Sequence, residues 1–517
     1  MRRGERIAWG ALLVVALGLR LWALDVRPPH HDEAVHAHFA DVLITQRAYR
    51  YDPTYHGPLL FFLMGGLFLL GGENLVTARL YPALAGVALV AVPLLLRRRV
   101  GPRAAWWCGA LLAVSPSFLY YSRFARNDVP VALFTALALV VLVVAARTKR
   151  WQLLPWAGVA AALHAVSKET FYVTVPLLVL AALAVAARRG LLATGSRLAS
   201  WARAHWRELA VTVAAFVVIT ELMYTFFFVH AEDFAFPLKA VRYWYEQHTI
   251  QRVGGPWYYH LPRLALYEFL PLGAGVAWLV RRRGRLRDLE VFCFVWGLAS
   301  VAMYAYLGEK VPWLAVHQVL PWVLLAGAQL GRTFSARGRW WSRGVAAAAL
   351  AATAWSTVAV SYRHPTITTS DPHAELLVFV QTTPEVGELV RLGRQLARTG
   401  TEGLVACVVG EGSWPLSWQW RTLKVQWTLP AEGARPALVV CDPPDEAVAR
   451  ERLGDGYAAR RIPLRGWWVE EWNGVGPREV ARWFVTRRAW SPIGATEVMV
   501  FERPGESRGA AGEGGRS

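Results

Sequence analysis

The stretch His30-His31-Asp32-Glu33-Ala34-Val35-His36-Ala37-His38 follows directly on an apolar run from Ile7 to Leu24. That run is long enough to be a membrane span, and the nine residues quoted hold four histidines and two carboxylates. Carboxylates are costly next to hydrocarbon, so a pair of acids at the end of a span indicates a functional site. The alternative is a solvated turn that only marks the end of the span, but it leaves the histidines unexplained.

The composition of the 517-residue chain is that of a membrane protein. Hydrophobic residues make up 55% of it and charged residues 18%, and the apolar residues fall in repeated blocks of spanning length. The net charge of +19 would suit nucleic acid, but the arginines gather in short loops between apolar blocks. We therefore expect membrane lipids and no nucleic acid as partners. No small-residue cleavage site follows the first apolar run, which is interpreted as a retained anchor.

The basic loops predict the topology. Five clusters, beginning near Arg97, Arg147, Arg188, Arg281 and Arg332, lie in the cytoplasm with the N-terminus if two spans separate successive clusters. The short block from Pro58 to Leu70 is then an interfacial helix within a first outer loop over 25–75. Eleven spans satisfy this arrangement, at 7–24, 76–96, 104–120, 129–146, 151–166, 170–187, 209–229, 263–280, 289–306, 313–330 and 344–361. We expect a multi-pass α-helical protein of the cell membrane with its C-terminal segment outside.

After Tyr362 the pattern becomes that of a small α/β domain. Glu385 to Ala397 and Asp445 to Leu453 are helix-like, whereas Gly403 to Val409 and Ala437 to Cys441 are strand-like. The predicted organisation is a transmembrane module over 1–361, an extracytoplasmic domain over 362–503 and a disordered tail over 504–517.

Two features of this domain leave alternatives open. Cys407 and Cys441 end two predicted strands and would form a disulfide if the strands are neighbours, although buried free thiols are favoured. The tryptophans would stack on sugar rings if exposed, but a core position is the safer interpretation. They are Trp414, Trp418, Trp420, Trp467, Trp468 and Trp472.

The paired acids carry the clearest chemistry. If the residues after Pro29 form a helix, Asp32 and His36 lie one turn apart on the same face. A carboxylate beside imidazole and close to lipid can act as a general base. It can equally ligate a divalent ion with help from His31, His36 or His38, and the residues alone do not separate these two roles.

Three further outer turns hold charged side chains. Arg123, Arg126 and Asp128 lie in one turn, where the arginines suit a phosphate; the alternative is a pair of interfacial anchors with a helix N-cap. Lysines on the outer side run against the positive-inside trend and point to an anionic ligand. The alternative is that each lysine forms a surface ion pair with its neighbouring glutamate, which would contribute little to stability. The residues concerned are Lys168 with Glu169, Glu309 with Lys310, and His317 nearby; His56 would line the same cavity. Glu221, inside a span, receives no role.

These residues together resemble a known family. His31 to His36 reads His-Asp-Glu-Ala-x-His, Arg126 to Asp128 reads Arg-Asn-Asp, Ser167 to Thr170 reads Ser-Lys-Glu-Thr, and Glu309 to His317 reads Glu-Lys-x-Pro-Trp-Leu-x-x-His. The pattern resembles membrane glycosyltransferases of the GT-C fold, such as protein O-mannosyltransferases and the aminoarabinose transferase of lipid A modification. The finer match is to the family called "flippase activity-associated protein", over about residues 7 to 330.

The resemblance implies a hexosyltransferase that uses a polyprenyl-phosphate-linked sugar. Asp32 would be the general base for an acceptor hydroxyl, and Glu33 would support or share that role. Asp128 resembles the second acid of the fold, which in oligosaccharyltransferases helps to bind a divalent metal, here Mg or Mn together with Asp32. The candidates for the leaving lipid phosphate are Arg123, Arg126, Lys168 and Lys310.

Two other classes of function compete with the enzyme. A non-catalytic membrane protein that helps to flip or present lipid-linked sugars would also place cations on the outer side, but would not need Asp32 ionised near an acceptor. An ion-coupled transporter is disfavoured, because the charges gather at one face instead of near the bilayer midplane.

Overall fold

The chain, described here from a computed structural model for residues 1–251, 253–336, 338–398 and 404–503, forms two compact units. The first unit contains Met1–Leu24 and Val42–Ser361, and the second contains Asp25–Asp41 and Tyr362–Ser517. The structure thus groups Asp25–Asp41 with the C-terminal unit, whereas the sequence placed them in the transmembrane module. The predicted tail over 504–517 lies outside the described residues, as does residue 403, the start of a predicted strand.

The first unit is helical. Its helices are α1 (Arg3–Leu21), the last part of α2 (His31–Gln46), α3 (Leu59–Gly71), α4 (Leu75–Ala91), α5 (Arg97–Val100), α6 (Pro102–Val114), α7 (Pro116–Ser122), α8 (Asp128–Thr148), α9 (Leu154–Ala165), α10 (Thr170–Arg188), α11 (Leu191–Ala204), α12 (Trp206–Tyr224), α13 (Phe236–Ile250), α14 (His260–Tyr267), α15 (Phe269–Arg281), α16 (Asp288–Tyr306), α17 (Ala315–Thr333) and α18 (Trp340–Val358).

Several of these helices can cross a membrane. Within the described residues, six continuous helical segments are long and apolar enough, and α14 with α15, bent by 85°, make a seventh if counted as one span. These seven match predicted spans, which confirms a polytopic helical membrane protein. The other four predicted spans are helical in whole or in part but do not meet the same length and composition, so the predicted number of eleven stays a prediction. Helix α3, with 13 residues, is too short to span, as the sequence indicated.

The second unit is built on a mixed sheet, which confirms the predicted small C-terminal α/β domain. Among the described residues the sheet has six strands in the order β1-β5-β6-β4-β2-β3, with β2 parallel to β3 and β4 and the other pairs antiparallel. The strands are β1 (Gln381–Thr382), β2 (Ala406–Val408), β3 (Val425–Gln426), β4 (Leu438–Cys441), β5 (Ala458–Trp468) and β6 (Ile493–Glu502). The helices are α19 (Pro384–Arg398), α20 (Ser413–Gln419), α21 (Glu446–Leu453) and α22 (Pro477–Thr486), together with the start of α2.

The core of the second unit explains the composition of its strands. Strands β2 and β4 are buried along their whole length, so both faces of the sheet centre carry apolar side chains. Cys407 and Cys441 are buried free thiols, as favoured from the sequence. The tryptophans divide between the two interpretations: Trp418, Trp420 and Trp468 are buried, whereas Trp414, Trp467 and Trp472 are half-buried.

Helices α6 and α17 approach each other closely at Gly327. A Cβ atom on Gly327 would lie 2.3 Å from the sulfur of Cys108 and 2.8 Å from the carbonyl oxygen of Ala104. Because backbone and a short side chain fill this space, only glycine allows the contact. The contact fixes the position of α17, which also carries the predicted site residue His317.

The substitution Gly327→Ala should therefore destabilise the first unit by about 1–3 kcal/mol, because the added methyl group forces α6 and α17 apart. The measurement is the denaturation midpoint of the full chain in detergent. Gly10→Ala on α1 is the matched control: no atom lies within 4 Å of its added Cβ, so stability should be unchanged or rise by up to about 1 kcal/mol. A loss of the same size in both variants would contradict this account of the packing.

Candidate functional site

The predicted site residues fall into both units, and each set is described by itself. The second unit holds His31, Asp32, Glu33 and His36 on helix α2. The first unit holds His56, Arg123, Arg126, Asp128, Lys168, Glu169, Glu309, Lys310 and His317.

The start of α2 is fixed by Glu33. Its carboxylate accepts a hydrogen bond from the backbone N–H of His30 at 2.9 Å and pairs with the Arg27 guanidinium at 3.3 Å. The side chains of Glu33 and Arg27 are both buried. Glu33 thus closes the N-terminal turn of the helix and neutralises a buried arginine, which is a positioning task; its predicted share in catalysis stays a prediction.

His30 also fixes the start of α2. Its Nδ1 accepts the backbone N–H of Asp32 at 3.1 Å, and its Nε2 lies 3.0 Å from the carbonyl oxygen of Phe379. An Nδ1 that accepts carries no proton, so this arrangement assigns the neutral tautomer with the proton on Nε2. The side-chain amide of Gln381 donates to the carbonyl of Pro28 at 3.1 Å, so both Pro28 and His30 are tied to the C-terminal part of the unit.

Asp32 is the accessible acid of the pair. It lies in the first turn of α2, and its side chain is 32% exposed, whereas that of Glu33 is 1% exposed. Arg465 on β5 lies close enough for its charge to interact with Asp32: burial lowers the pKa of Arg465, and Asp32 opposes that shift. Arg465 also pairs with Glu411. The sequence predicted Asp32 as the base, and the fold leaves its carboxylate reachable.

Two histidines of α2, His31 and His38, contact one indole. Burial lowers the pKa of His31, with Asp32 opposing and Arg465 reinforcing the shift, and burial also lowers the pKa of His38. Both imidazoles are therefore neutral at pH 7. The rings of His31 and His38 meet the Trp414 indole edge-on at 6.2 and 5.5 Å between centroids. His36, one helical turn after Asp32, is buried.

In the first unit the predicted residues converge on Asp128, which is fully buried at the start of α8. The Lys168 ammonium donates to Oδ1 at 2.7 Å, the His317 Nε2 lies 3.4 Å from the same oxygen, and the Arg126 Nε lies 3.5 Å from Oδ2. Three segments far apart in the chain therefore meet at one carboxylate. The Arg126 guanidinium also lies 3.6 Å above the ring of Trp313.

A cavity of about 110 Å³ adjoins this cluster. Glu169 lies in its wall, accepting from the Tyr51 hydroxyl at 3.2 Å and contacting the His56 Nδ1 at 2.8 Å, and the His56 ring stacks on Trp244 at 5.4 Å between centroids. Burial and the neighbouring Glu169 carboxylate raise the pKa of Tyr51, which keeps its hydroxyl protonated. Lys168, Glu309 and Trp313 line the same cavity. Acids, a cation and stacked rings at one cavity suit a polar, ring-shaped ligand.

Two of the predicted phosphate contacts have a different task. The Arg123 guanidinium donates to the carbonyl oxygens of Leu19, Arg20, Trp22 and Ala23 at 2.6–3.2 Å, and so caps the C-terminus of α1. The Lys310 ammonium likewise donates to the carbonyls of Tyr304, Ala305 and Leu307 at 2.5–3.0 Å at the end of α16, and burial lowers its pKa. Arg123 and Lys310 thus hold helix ends, whereas Lys168 and Arg126 pair with Asp128.

The metal suggested for Asp128 does not fit this arrangement. One of its oxygens faces the Lys168 ammonium and the other the Arg126 guanidinium, so a divalent cation would meet two positive charges. Within the described ranges, the cluster of donors that could hold an ion is His364, Asp371 and His373, which includes neither predicted acid. The rings of His364 and His373 stack nearly parallel, at 13°, so their ring planes do not converge on one ion.

Sequence reasoning missed several residues of both clusters. Arg465 lies near Asp32, while Trp244 and Trp313 line the cavity of the first unit, where Tyr51 donates to Glu169. Trp313 is part of the Glu-Lys-x-Pro-Trp motif, so the sequence did contain a signal for this residue. Arg465 and Trp244 had no local signal, because their relevance depends on a strand and a helix distant in the chain.

Comparison with solved structures matches this architecture to ArnT from Cupriavidus metallidurans bound to undecaprenyl phosphate. The two are 18% identical with a TM-score of 0.62, over 98% of this chain and 99% of that one. The archaeal oligosaccharyltransferase AglB from Archaeoglobus fulgidus, in complex with an inhibitory peptide and a dolichol-phosphate, is 14% identical with a TM-score of 0.54, over 88% of this chain and 73% of that one. The chain has the GT-C glycosyltransferase fold.

A sequence profile described as dolichyl-phosphate-mannose-protein mannosyltransferase matches residues 55–224, which include the GT-C segments carrying His56, Arg126, Asp128 and Lys168. The predicted resemblance to O-mannosyltransferases and the predicted glycosyltransferase class are thereby confirmed. The finer resemblance to the flippase activity-associated family stays a prediction. No curated protein matches the chain by sequence.

The two acids at the start of α2 should respond differently to substitution. Glu33→Gln removes the charge that pairs with buried Arg27, and we expect it to destabilise the protein by about 1.5–3 kcal/mol. Asp32→Asn, one residue away and partly exposed, should cost less than about 1 kcal/mol, the usual size of a charge effect at a helix N-terminus. Denaturant titration of both variants in detergent measures the difference, and equal losses would refute the positioning role of Glu33.

Proposed function

We propose that this protein is an integral-membrane hexosyltransferase that moves a sugar from a polyprenyl-phosphate donor to an acceptor hydroxyl on the outer face of the membrane. The observation that carries the proposal is the contrast between the two acids of α2. Glu33 pairs with Arg27 and accepts the backbone N–H of His30, whereas Asp32, on the same helical turn, keeps its carboxylate accessible to solvent. A fixed, accessible carboxylate is what a general base requires.

Asp32 is assigned the proton transfer. It takes the proton from the acceptor hydroxyl as that oxygen attacks the anomeric carbon of the donor sugar, and the bond from that carbon to the phosphate oxygen breaks. The products are the glycosylated acceptor and the free polyprenyl phosphate. Arg465 and the neutral His31 are positioning residues here, because they tune the surroundings of the carboxylate without themselves accepting the proton.

Lys168 and Arg126 are assigned the phosphate of the donor. Both are buried cations held by Asp128, and Lys168 lines the cavity that also presents His56, Glu169 and Trp244 to a polar ligand. Positive charge at this position stabilises the negative charge that develops on the leaving phosphate. The ArnT and AglB structures, which hold undecaprenyl phosphate and dolichol-phosphate, support a polyprenyl carrier for this chain as well.

The base assignment predicts that Asp32→Asn lowers the transfer rate by about 10²–10⁴-fold while donor binding is retained, because the amide keeps the volume but cannot accept the proton. The assay offers a panel of radiolabelled polyprenyl-phosphate sugars, with and without chelator, to the full-length protein in liposomes. Asp25→Asn, the same change at an exposed position of the same outer loop, should keep full activity. Full transfer activity in Asp32→Asn would contradict the assignment of Asp32 as the base. If the wild type binds the lipid-linked sugars but transfers none of them, an accessory role in presenting lipid-linked sugars would be favoured.

The phosphate assignment predicts a division among the four predicted cations. Lys168→Gln and Arg126→Gln should weaken binding of a polyprenyl-phosphate sugar by about tenfold or more, since each removes a charge-assisted contact. Arg123→Gln and Lys310→Gln should mainly lower the denaturation midpoint, because they uncap α1 and α16. Equilibrium binding of a fluorescent polyprenyl phosphate in detergent measures this, and unchanged binding in the first pair would return Arg126 and Lys168 to a purely structural role.

A further inference from the structure

A second cavity of the first unit lies where five helices end or begin. It has a volume of about 330 Å³ and is lined by residues from the region around α5 and the start of α6, the end of α15, the start of α16 and the end of α17. Five arginines line it: Arg99, Arg103, Arg282, Arg287 and Arg332. None of these residues belongs to the clusters described above.

This cavity lies at the opposite end of two helices from the candidate site. Leu289 and Glu290, near the start of α16, line it, whereas Tyr304 near the end of the same helix lines the cavity beside Lys168. Helix α16 has 19 residues, so the two cavities lie on the order of 25 Å apart along it. Helix α17 shows the same separation, with His317 near its start and Arg332 near its end. The second cavity is therefore distinct from the proposed donor site.

The charges of this cavity are unbalanced. Glu290 is the one carboxylate in its lining, and it is already used: it accepts from the Trp278 indole N–H at 3.0 Å and from the backbone N–H of Arg287 at 2.7 Å. The Nε of Arg282 lies 3.8 Å from this carboxylate, beyond hydrogen-bond distance, and is buried without a hydrogen-bond partner. The five guanidinium groups outnumber the carboxylates that act on them, which are Glu290 in the lining and Asp288, whose charge reaches Arg99. This excess leaves a net positive field in the cavity.

The remaining lining suits an anion that also carries apolar groups. Gly101, Pro102, Arg103 and Ala104 bring the N-terminus of α6 to the wall, and no side chain caps that helix end. Trp278, Leu289, Leu324 and Ala328 supply an apolar wall next to the arginines. Guanidinium groups bind phosphate through paired N–H donors, and basic pockets between membrane helices suit lipid head groups.

We propose that this cavity binds a phosphate group, such as the head group of an anionic membrane lipid or free phosphate. The competing explanation is that the arginines are only the basic loops that set topology. In that explanation only the charge of the loops matters. It therefore predicts that replacing arginines that line the cavity and replacing equally charged neighbours outside it have the same effect on phosphate binding. The arginines Arg281, Arg283 and Arg285 are such neighbours, since they are exposed and absent from the lining.

The test compares two triple variants of the full-length protein in detergent. Arg103→Gln with Arg282→Gln and Arg332→Gln removes three charges from the cavity, and Arg281→Gln with Arg283→Gln and Arg285→Gln removes three beside it. Native mass spectrometry follows binding of phosphatidylglycerol, phosphatidylcholine and inorganic phosphate. We expect the wild type to prefer phosphatidylglycerol to phosphatidylcholine, and the cavity variant to lose about tenfold in that binding, equivalent to about 1.4 kcal/mol, while the neighbour variant stays within about twofold.

The arms also separate the two sources of phosphate. If inorganic phosphate does not displace phosphatidylglycerol, the ligand of the cavity is a lipid. If the protein binds inorganic phosphate and only the cavity variant loses that binding, the ligand is a free anion. Equal losses in both triple variants, or no binding of either probe, would overturn the proposal. Circular dichroism checks the helical content of each variant, and the single change Arg332→Gln, expected to lose about threefold, replaces the triple variant if that does not fold.

Discussion

A carboxylate buried at the end of a membrane helix is stable as a charge only if cations accompany it, and the first unit is arranged around that constraint. Asp128 is fully buried, and its partners come from the turn before α8, the turn after α9 and the start of α17. Each partner fixes one segment of the bundle relative to α8. Removing one of them would leave the buried charge less well compensated, so the packing of these helices and the placement of the cations depend on each other.

The same network also determines what the cluster can do. Lys168 is partly neutralised by Asp128 but still lines the adjoining cavity. Asp128 can therefore stay in place as the counter-ion while the ammonium group remains within reach of an anionic ligand. The stacked His56 and Trp244, with Glu169 beside them, extend that wall with aromatic and acidic groups. In the proposed function, the charges that stabilise the fold would therefore also bind the ligand.

The start of α2 shows a different division of labour between neighbouring residues. Successive residues of a helix point about 100° apart, so Asp32 and Glu33 cannot share one environment. Glu33 turns back to its own helix terminus and to Arg27, while Asp32 faces outward beside Arg465 and His31. The rigidity supplied by the buried acid holds the exposed one in place, which is the condition for an efficient base.

The amino-acid sequence by itself determined the class of the protein: apolar block length, basic loops and the quoted motifs sufficed for a polytopic helical protein of GT-C type with a small α/β domain, because these signals are local. It also named Asp32, Asp128 and Lys168, since charged groups at span ends are conspicuous against an apolar background. Only the tertiary structure decided that Glu33, Arg123 and Lys310 hold helix ends, that Arg465 lies near Asp32, and that Asp25–Asp41 belongs with the C-terminal unit. It also decided that Trp414 contacts His31 and His38. The reason is physical: whether a charged side chain meets a ligand or a free carbonyl depends on which distant helix end or strand lies within about 3 Å of it, and spacing along the chain does not contain that distance.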